Sequence, residues 1–446
     1  METHLTSGWW RRKNELVRDA GRGPITASSD GQREGLFSFL SLMMFTFVLL
    51  LAPQQLFPVL APFRIAFLSI LMALLFHVTT RLQSGQIIFR MDAGTTLALL
   101  LLGWALISVP FSYWPGGSVS FLLAIFMKSL MVLVLLANII DATWKLRWLC
   151  WGLMGMAVPL SLTTISNLAG GVFTTGGDRA LGYDSPLATN PNDMALLLNM
   201  LLPLAIACFL CSRRTASQVV TGIIAVLMIG AVIATFSRAG FLTLALIFLM
   251  YLFVLRRRHV RMLAPLVLIL AFAAIPLLPG EYMGRLATIT DVQTDTTGSA
   301  QIRLDDMKVA TRLALSNPVF GSGVGMNVLV MNEARGPTWT EIHNVYLSLA
   351  VELGAPGLIL FVLLLGTCIT SVRRVARESA DRPGFEEINI LATGILVSLL
   401  AFAFAALFHP VAYHFYFYFM AGLALALNGI WRAELGKLLE SDRESE

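Results

Sequence analysis

Long apolar runs, each of a length to cross a bilayer and separated by short basic turns, constrain this chain more than any other feature. A bilayer core of about 30 Å needs about 20 apolar residues per helix. The runs fall at about 36–53, 62–80, 93–110, 119–140, 146–167, 194–211, 217–235, 240–255, 263–279, 354–372, 388–407 and 413–431. They predict an all-α polytopic membrane protein of about 12 transmembrane helices. Hydrophobic residues make up 57% of the 446 and charged residues 13%, where soluble proteins carry about 25% charged. Mean hydropathy is +0.74. Such a chain has too few polar groups to cover a water-facing surface, which excludes a secreted enzyme, a cytosolic Rossmann enzyme and a nucleic-acid-binding domain. The net charge of +5 fits basic cytoplasmic loops instead.

Basic residues set the orientation. Arg81 and Arg90, Lys145 and Arg147, Arg213 and Arg214, Arg256 to Arg258 with Arg261, and Arg373, Arg374, Arg377 and Arg382 fall on alternate loops. The positive-inside rule puts these loops and both termini in the cytoplasm. Residues 1–35 read as a polar cytoplasmic tail without a cleavable signal, and 432–446 as a second tail. Between them lie spans 1–9 over 36–279, a loop with short helices over 280–353, and spans 10–12 over 354–431. The four cysteines sit in or beside apolar runs and predict no disulfide framework. Cys208 and Cys211 form a lone CxxC that reads as helix packing.

The outer face carries two longer polar segments. One, about 168–193, ends in Asn190-Pro191-Asn192-Asp193. The other, about 280–353, has helical spacing over 300–316, with Ile302, Val309, Leu313 and Leu315 apolar and Arg303, Asp306 and Arg312 polar. A turn at Asn317-Pro318 precedes the glycine-rich Gly321 to Gly325, and a short helix from His343 leads into the tenth span. No strand precedes those glycines, so they make a poor nucleotide loop.

Charges at the membrane are costly and invite a functional question. Arg238 lies in a very short outer turn. Its planar fork suits a diphosphate, or it snorkels to headgroups. Arg303, Lys308 and Arg312 either hold a ligand or form the polar face of an amphipathic helix. His343, at the junction of long loop and span, is a general base near neutral pH or a histidine bonded to a backbone carbonyl. Lys128, in mid-span, must face the bundle interior or pair with another group. His409 and His414 flank the last outer turn among aromatic residues that read as packing or interfacial belt. Asp305-Asp306 reads as a solvated helix face, and no carboxylate cluster has metal-ligand spacing.

Three segments together resemble the O-antigen ligase and O-antigen polymerase family. They are Phe236-Ser237-Arg238-Ala239-Gly240, then Arg303 followed by Asn317-Pro318-Val319-Phe320-Gly321-Ser322-Gly323-Val324-Gly325, and His343-Asn344-Val345-Tyr346-Leu347 with Glu352 to Leu358. Asn190 to Ala195 resembles a stretch of the family's exopolysaccharide polymerases. Met307 stands where many members carry an aromatic residue. The resemblance implies a glycosyltransferase-C-like fold and an inverting transferase without metal or cofactor. The donor would be a glycan on undecaprenyl diphosphate in the inner membrane, used on the periplasmic side. Arg238 and Arg303 would hold the diphosphate and His343 would activate the acceptor hydroxyl, with Arg179, Lys128, Lys308 and Arg312 as second-rank binding residues. The three main residues should converge on one cavity. The acceptor would be a repeat unit, making the chain a polymerase, or the lipid A core, making it a ligase, or a protein, with other polysaccharide-assembly proteins as partners. A secondary transporter is the reading from another class.

Overall fold

The computed structural model describes residues 35–174, 179–255 and 299–445. The predicted span 263–279, the basic cluster at 256–261, most of the N-terminal tail and the start of the long loop lie outside these residues.

The described chain is helical, and its only extended pairing is an isolated antiparallel bridge between Phe173 and Ala180. The helices are α1 (Leu36–Leu51), α2 (Ile65–Gln83), α3 (Ala93–Ser108), α4 (Pro115–Phe121), α5 (Met127–Ile139), α6 (Thr143–Ala169) and α7 (Pro191–Cys211). They continue as α8 (Thr215–Ala234), α9 (Arg238–Leu255), α10 (Ser299–Ser316), α11 (Asn327–Arg335), α12 (Val345–Glu378), α13 (Glu386–Ala405) and α14 (Phe415–Ser445). A π turn at Leu122–Phe126 fuses α4 and α5 into one continuous segment. Eight segments among the described residues are long and apolar enough to cross a membrane, and α1 and α9 are shorter apolar helices. Backbone groups must be satisfied within each span in lipid, which is why these runs are helices.

The bundle has two polar ends. At one, Arg147 pairs with Glu387, Arg81 with Asp141, and Trp431 Nε1 donates to Glu378 at 2.7 Å. These contacts join the start of α6 to the start of α13, the end of α2 to the turn between α5 and α6, and α14 to the end of α12. At the other end, Trp104 Nε1 donates to the Leu353 carbonyl at 2.8 Å and Val345 N–H to the Ala406 carbonyl at 2.8 Å. The described helices therefore run between two faces. At the centre is α7, whose apolar window is 78% buried, whereas the helix ending at Gln83 is only 17% buried. A Cβ on Gly394 would come within 2.9 Å of the Pro203 carbonyl, so α13 and α7 approach through a small residue, a common membrane device. Cys150, Cys208 and Cys368 are buried free thiols in this packing.

Helix α12 is broken one-third of the way along. Gly354 adopts φ 66° and ψ −171°, and Pro356 follows. Proline cannot donate to Glu352, and the break frees the preceding carbonyls. The glycine-rich segment takes them up. Ser322 donates its N–H (2.8 Å) and hydroxyl (3.0 Å) to the Val351 carbonyl, and Gly323 N–H reaches the Glu352 carbonyl at 2.9 Å. In return, Ala355 N–H reaches the Pro318 carbonyl at 2.8 Å. Gly323 has φ 96°, and a Cβ there would lie 2.0 Å from Ser112 Oγ. Phe320 stacks on Phe111, with centroids 4.0 Å apart. These glycines brace a broken helix.

Candidate functional site

The end of the bundle at the break gathers most of the polar residues singled out by sequence. Arg238 is the first residue of α9, after a tight turn in which Phe236 takes φ 51°. That conformation is unusual for a bulky residue. It is held by Ser237, whose hydroxyl accepts from Gly240 N–H (3.2 Å) and donates to Asn192 Oδ1 (2.8 Å). Arg238 is half-buried.

Asn192 is the hub of this end. Its Oδ1 also accepts from Arg179 Nη1 at 3.1 Å, and its carbonyl faces His409 Nε2 at 3.2 Å. Asn190 fixes it by accepting the Asn192 N–H at 2.9 Å, which starts α7. His409 is buried, with Nδ1 2.9 Å from the Ala405 carbonyl. Burial lowers its pKa, and the charge of Arg303 lowers it further. A recess of about 550 Å³ beside the hub is lined by Arg179, Thr189, Asn190 and Asp193 among others. Asp193 is within electrostatic reach of Glu341.

Helix α10 presents Arg303, Asp306 and Ala310 inward, while Ile302 and Leu315 are 54% and 74% exposed. The faces read from sequence hold in part: Val309 and Leu313 pack against Ala310, Val330 and Met331 and Arg312 is exposed, whereas Ile302 and Leu315 turn outward and Arg303 and Asp306 inward. Asp306 is not on a solvated face: it forms a buried ion pair with Arg335 of α11, and that partner outweighs the local pattern. Lys308 pairs with Asp305 at 2.7 Å on the solvent side, and Arg312 is also exposed.

His343 precedes the Asn344 cap of α12, whose Oδ1 accepts Leu347 N–H at 3.0 Å. Its Nδ1 lies 2.9 Å from the Glu341 carbonyl. A carbonyl only accepts, so Nδ1 carries the proton and Nε2 keeps a lone pair. Burial first, then the positive charge of Arg303, lowers its pKa from 6.5 to about 4. The imidazole is therefore neutral at pH 7. Arg335 donates to the Thr340 carbonyl at 2.9 Å, so the Asp306 pair ties the Arg303 helix to the strand of chain that bears His343. Asn327 adds a second tie, donating to buried Glu352 and accepting from Ile342 N–H.

Lys128 is not part of this cluster. It is exposed, on the outward stripe with Leu123 and Met127, and makes no ion pair or hydrogen bond among the described residues. The sequence expectation that it faces the interior or pairs is corrected. Leu122, Phe126, Leu130 and Leu133 take the buried side of the segment, and this places Lys128 opposite. Asn192, Ser237, Asp306 with Arg335, and Glu352 with Asn327 were not singled out as site residues by sequence. The Asn190–Asp193 motif was the one signal for the hub.

The fold and this polar end define a helical membrane protein with a cation- and histidine-bearing site at one face. Residues 223–362 match the family described as O-Antigen ligase, a stretch that contains Arg238, Arg303 and His343. The resemblance read from the three motifs is borne out over these residues, where the chain is similar to that family. This family carries glycosyltransferase-like activity, with a lipid-linked glycan donor and a glycan acceptor. No curated protein matches the chain.

Proposed function

We propose that this chain moves a glycan from undecaprenyl diphosphate to an acceptor sugar hydroxyl on the periplasmic side of the inner membrane. The topology is twelve spans with both termini cytoplasmic. Arg238 and Arg303 bind the diphosphate, Arg179 contributes at its edge, and His343 is the general base. The acceptor oxygen attacks the anomeric carbon as the bond from that carbon to the diphosphate oxygen breaks. The diphosphate leaves with the bonding electrons, and the hydroxyl proton passes to His343 Nε2. Attack opposite the leaving group inverts the anomeric centre. Fixed arginines stabilise the leaving charge.

The observation that carries this reading is the electrostatic link between Arg303 and His343. In the free protein burial first, and the arginine second, keep the imidazole neutral. A bound diphosphate offsets the arginine charge and raises the basicity of Nε2 when the acceptor is present. Polymerisation of repeat units is preferred over ligation to the lipid A core because the polymerase-like Asn190–Asp193 segment supplies the hub residue. The test offers purified protein an undecaprenyl-diphosphate-linked repeat unit, alone and with a core acceptor. A ladder from donor alone, lost in His343→Ala, supports polymerisation. Product only with the core acceptor favours ligation, and no transfer of a competent donor refutes the proposal.

A further inference from the structure

The opposite end of the bundle holds a second polar cavity, about 150 Å³, between α1, α2 and the start of α6. Lys145 is almost fully buried there, donating to Asp141 (2.7 Å) and to the Ile139 carbonyl (3.2 Å). Arg81 approaches the same carboxylate at 3.3 Å and also bonds Gln86. Two cations thus share one carboxylate. Arg90 and Asp92 lie near Arg81 and Asp141 in the same field and cancel each other in charge. Ser38 lines the cavity, is 1% exposed, and its hydroxyl has no hydrogen-bond partner among the described residues. An orphaned buried hydroxyl beside a surplus of positive charge is the donor set for an oxyanion.

We propose that this cavity binds a phosphate group of net single negative charge, supplied by an anionic phospholipid. Among the described residues the surplus of one positive charge matches one phosphodiester. Phe37 and Leu82, next in sequence to lining residues, are 67% and 61% exposed and offer apolar surface to acyl chains. Trp144 at the cavity is an interfacial residue type. The site is separate from the transfer chemistry and does not depend on it.

The test uses delipidated full-length protein in detergent, with phosphatidylglycerol, phosphatidylcholine or inorganic phosphate added. Native mass spectrometry counts bound lipid, and thermal shift reports phosphate. One phosphatidylglycerol should be retained per chain in preference to phosphatidylcholine. Arg81→Gln should weaken it about tenfold, the scale of one lost charge-assisted contact. Ser84→Glu, which puts a carboxylate at an exposed lining position, should weaken it similarly and leaves the Asp141 pairs intact. Arg374→Gln, an exposed arginine at the same end on α12, should change nothing. Undiminished binding in both cavity variants, or an equal loss in Arg374→Gln, would overturn the site. Stabilisation by inorganic phosphate without retention of phosphatidylglycerol would overturn the lipid assignment.

Discussion

Replacing Arg303 by glutamine should move the acid limb of the kcat/KM profile to higher pH. In the free protein His343 titrates at about 4 rather than 6.5. That displacement corresponds to about 3 kcal/mol of preference for the neutral form. Burial is the largest cause and the positive charge of Arg303 the second, so removing the arginine raises the His343 pKa without restoring it fully. The base works deprotonated, so wild-type kcat/KM should hold as pH falls and fail only through about 4. In Arg303→Gln the failure should begin at higher pH than in wild type, on top of a general loss from weaker diphosphate binding. Arg303→Lys keeps the charge and should keep the limb near the wild-type position. The assay is initial-rate transfer at subsaturating donor across about pH 3 to 8, as a conventional pH profile. An acid limb that does not move in Arg303→Gln, while its absolute rate falls, would refute the electrostatic coupling.

Other consequences are directly measurable. Thermal stability in detergent should fall between pH 6.5 and about 4 because of His343. Above 6.5 neither state holds the proton, between the two values only the unfolded chain does, and below about 4 both do. His343→Gln should flatten that part of the curve. Arg335→Met leaves the buried Asp306 carboxylate unpaired and should cost about 3 kcal/mol, read by chemical or thermal unfolding. Gly323→Ala should cost on the order of 2 kcal/mol from its positive φ and the clash with Ser112. Lys308→Ala and Arg312→Ala, on the solvent face of α10, should stay within about 0.5 kcal/mol of wild type and keep transfer activity.

Sequence carries the helices well because lipid leaves a span no other backbone solution. The run at 194–211 became α7 at Pro191–Cys211, and that at 388–407 became α13 at Glu386–Ala405. It carries less where a partner distant in the chain decides. Asp306 reads as solvated until Arg335, on another helix, is known to face it. Lys128 reads as interior because its span is apolar all round, and only packing reveals which side is buried. The glycine-rich segment looks like a loop motif, yet its reason is the break at Gly354. Within the site, Arg238 and His343 were legible from chemistry that is scarce near a membrane. Asn192 was not, because its importance lies in the three groups it meets: Arg179, Ser237 and His409.

The most direct test of the central claim separates donor binding from transfer in one reconstituted system. Affinity for an undecaprenyl-diphosphate-linked glycan and the single-turnover transfer rate are measured for wild type, Arg238→Gln, Arg303→Gln and His343→Ala. The two arginine variants should bind donor at least about tenfold more weakly, the scale of a lost charge-assisted contact. His343→Ala should bind donor like wild type and transfer at least about a hundredfold more slowly. Wild-type transfer by His343→Ala, or undiminished donor binding by both arginine variants, would contradict the account.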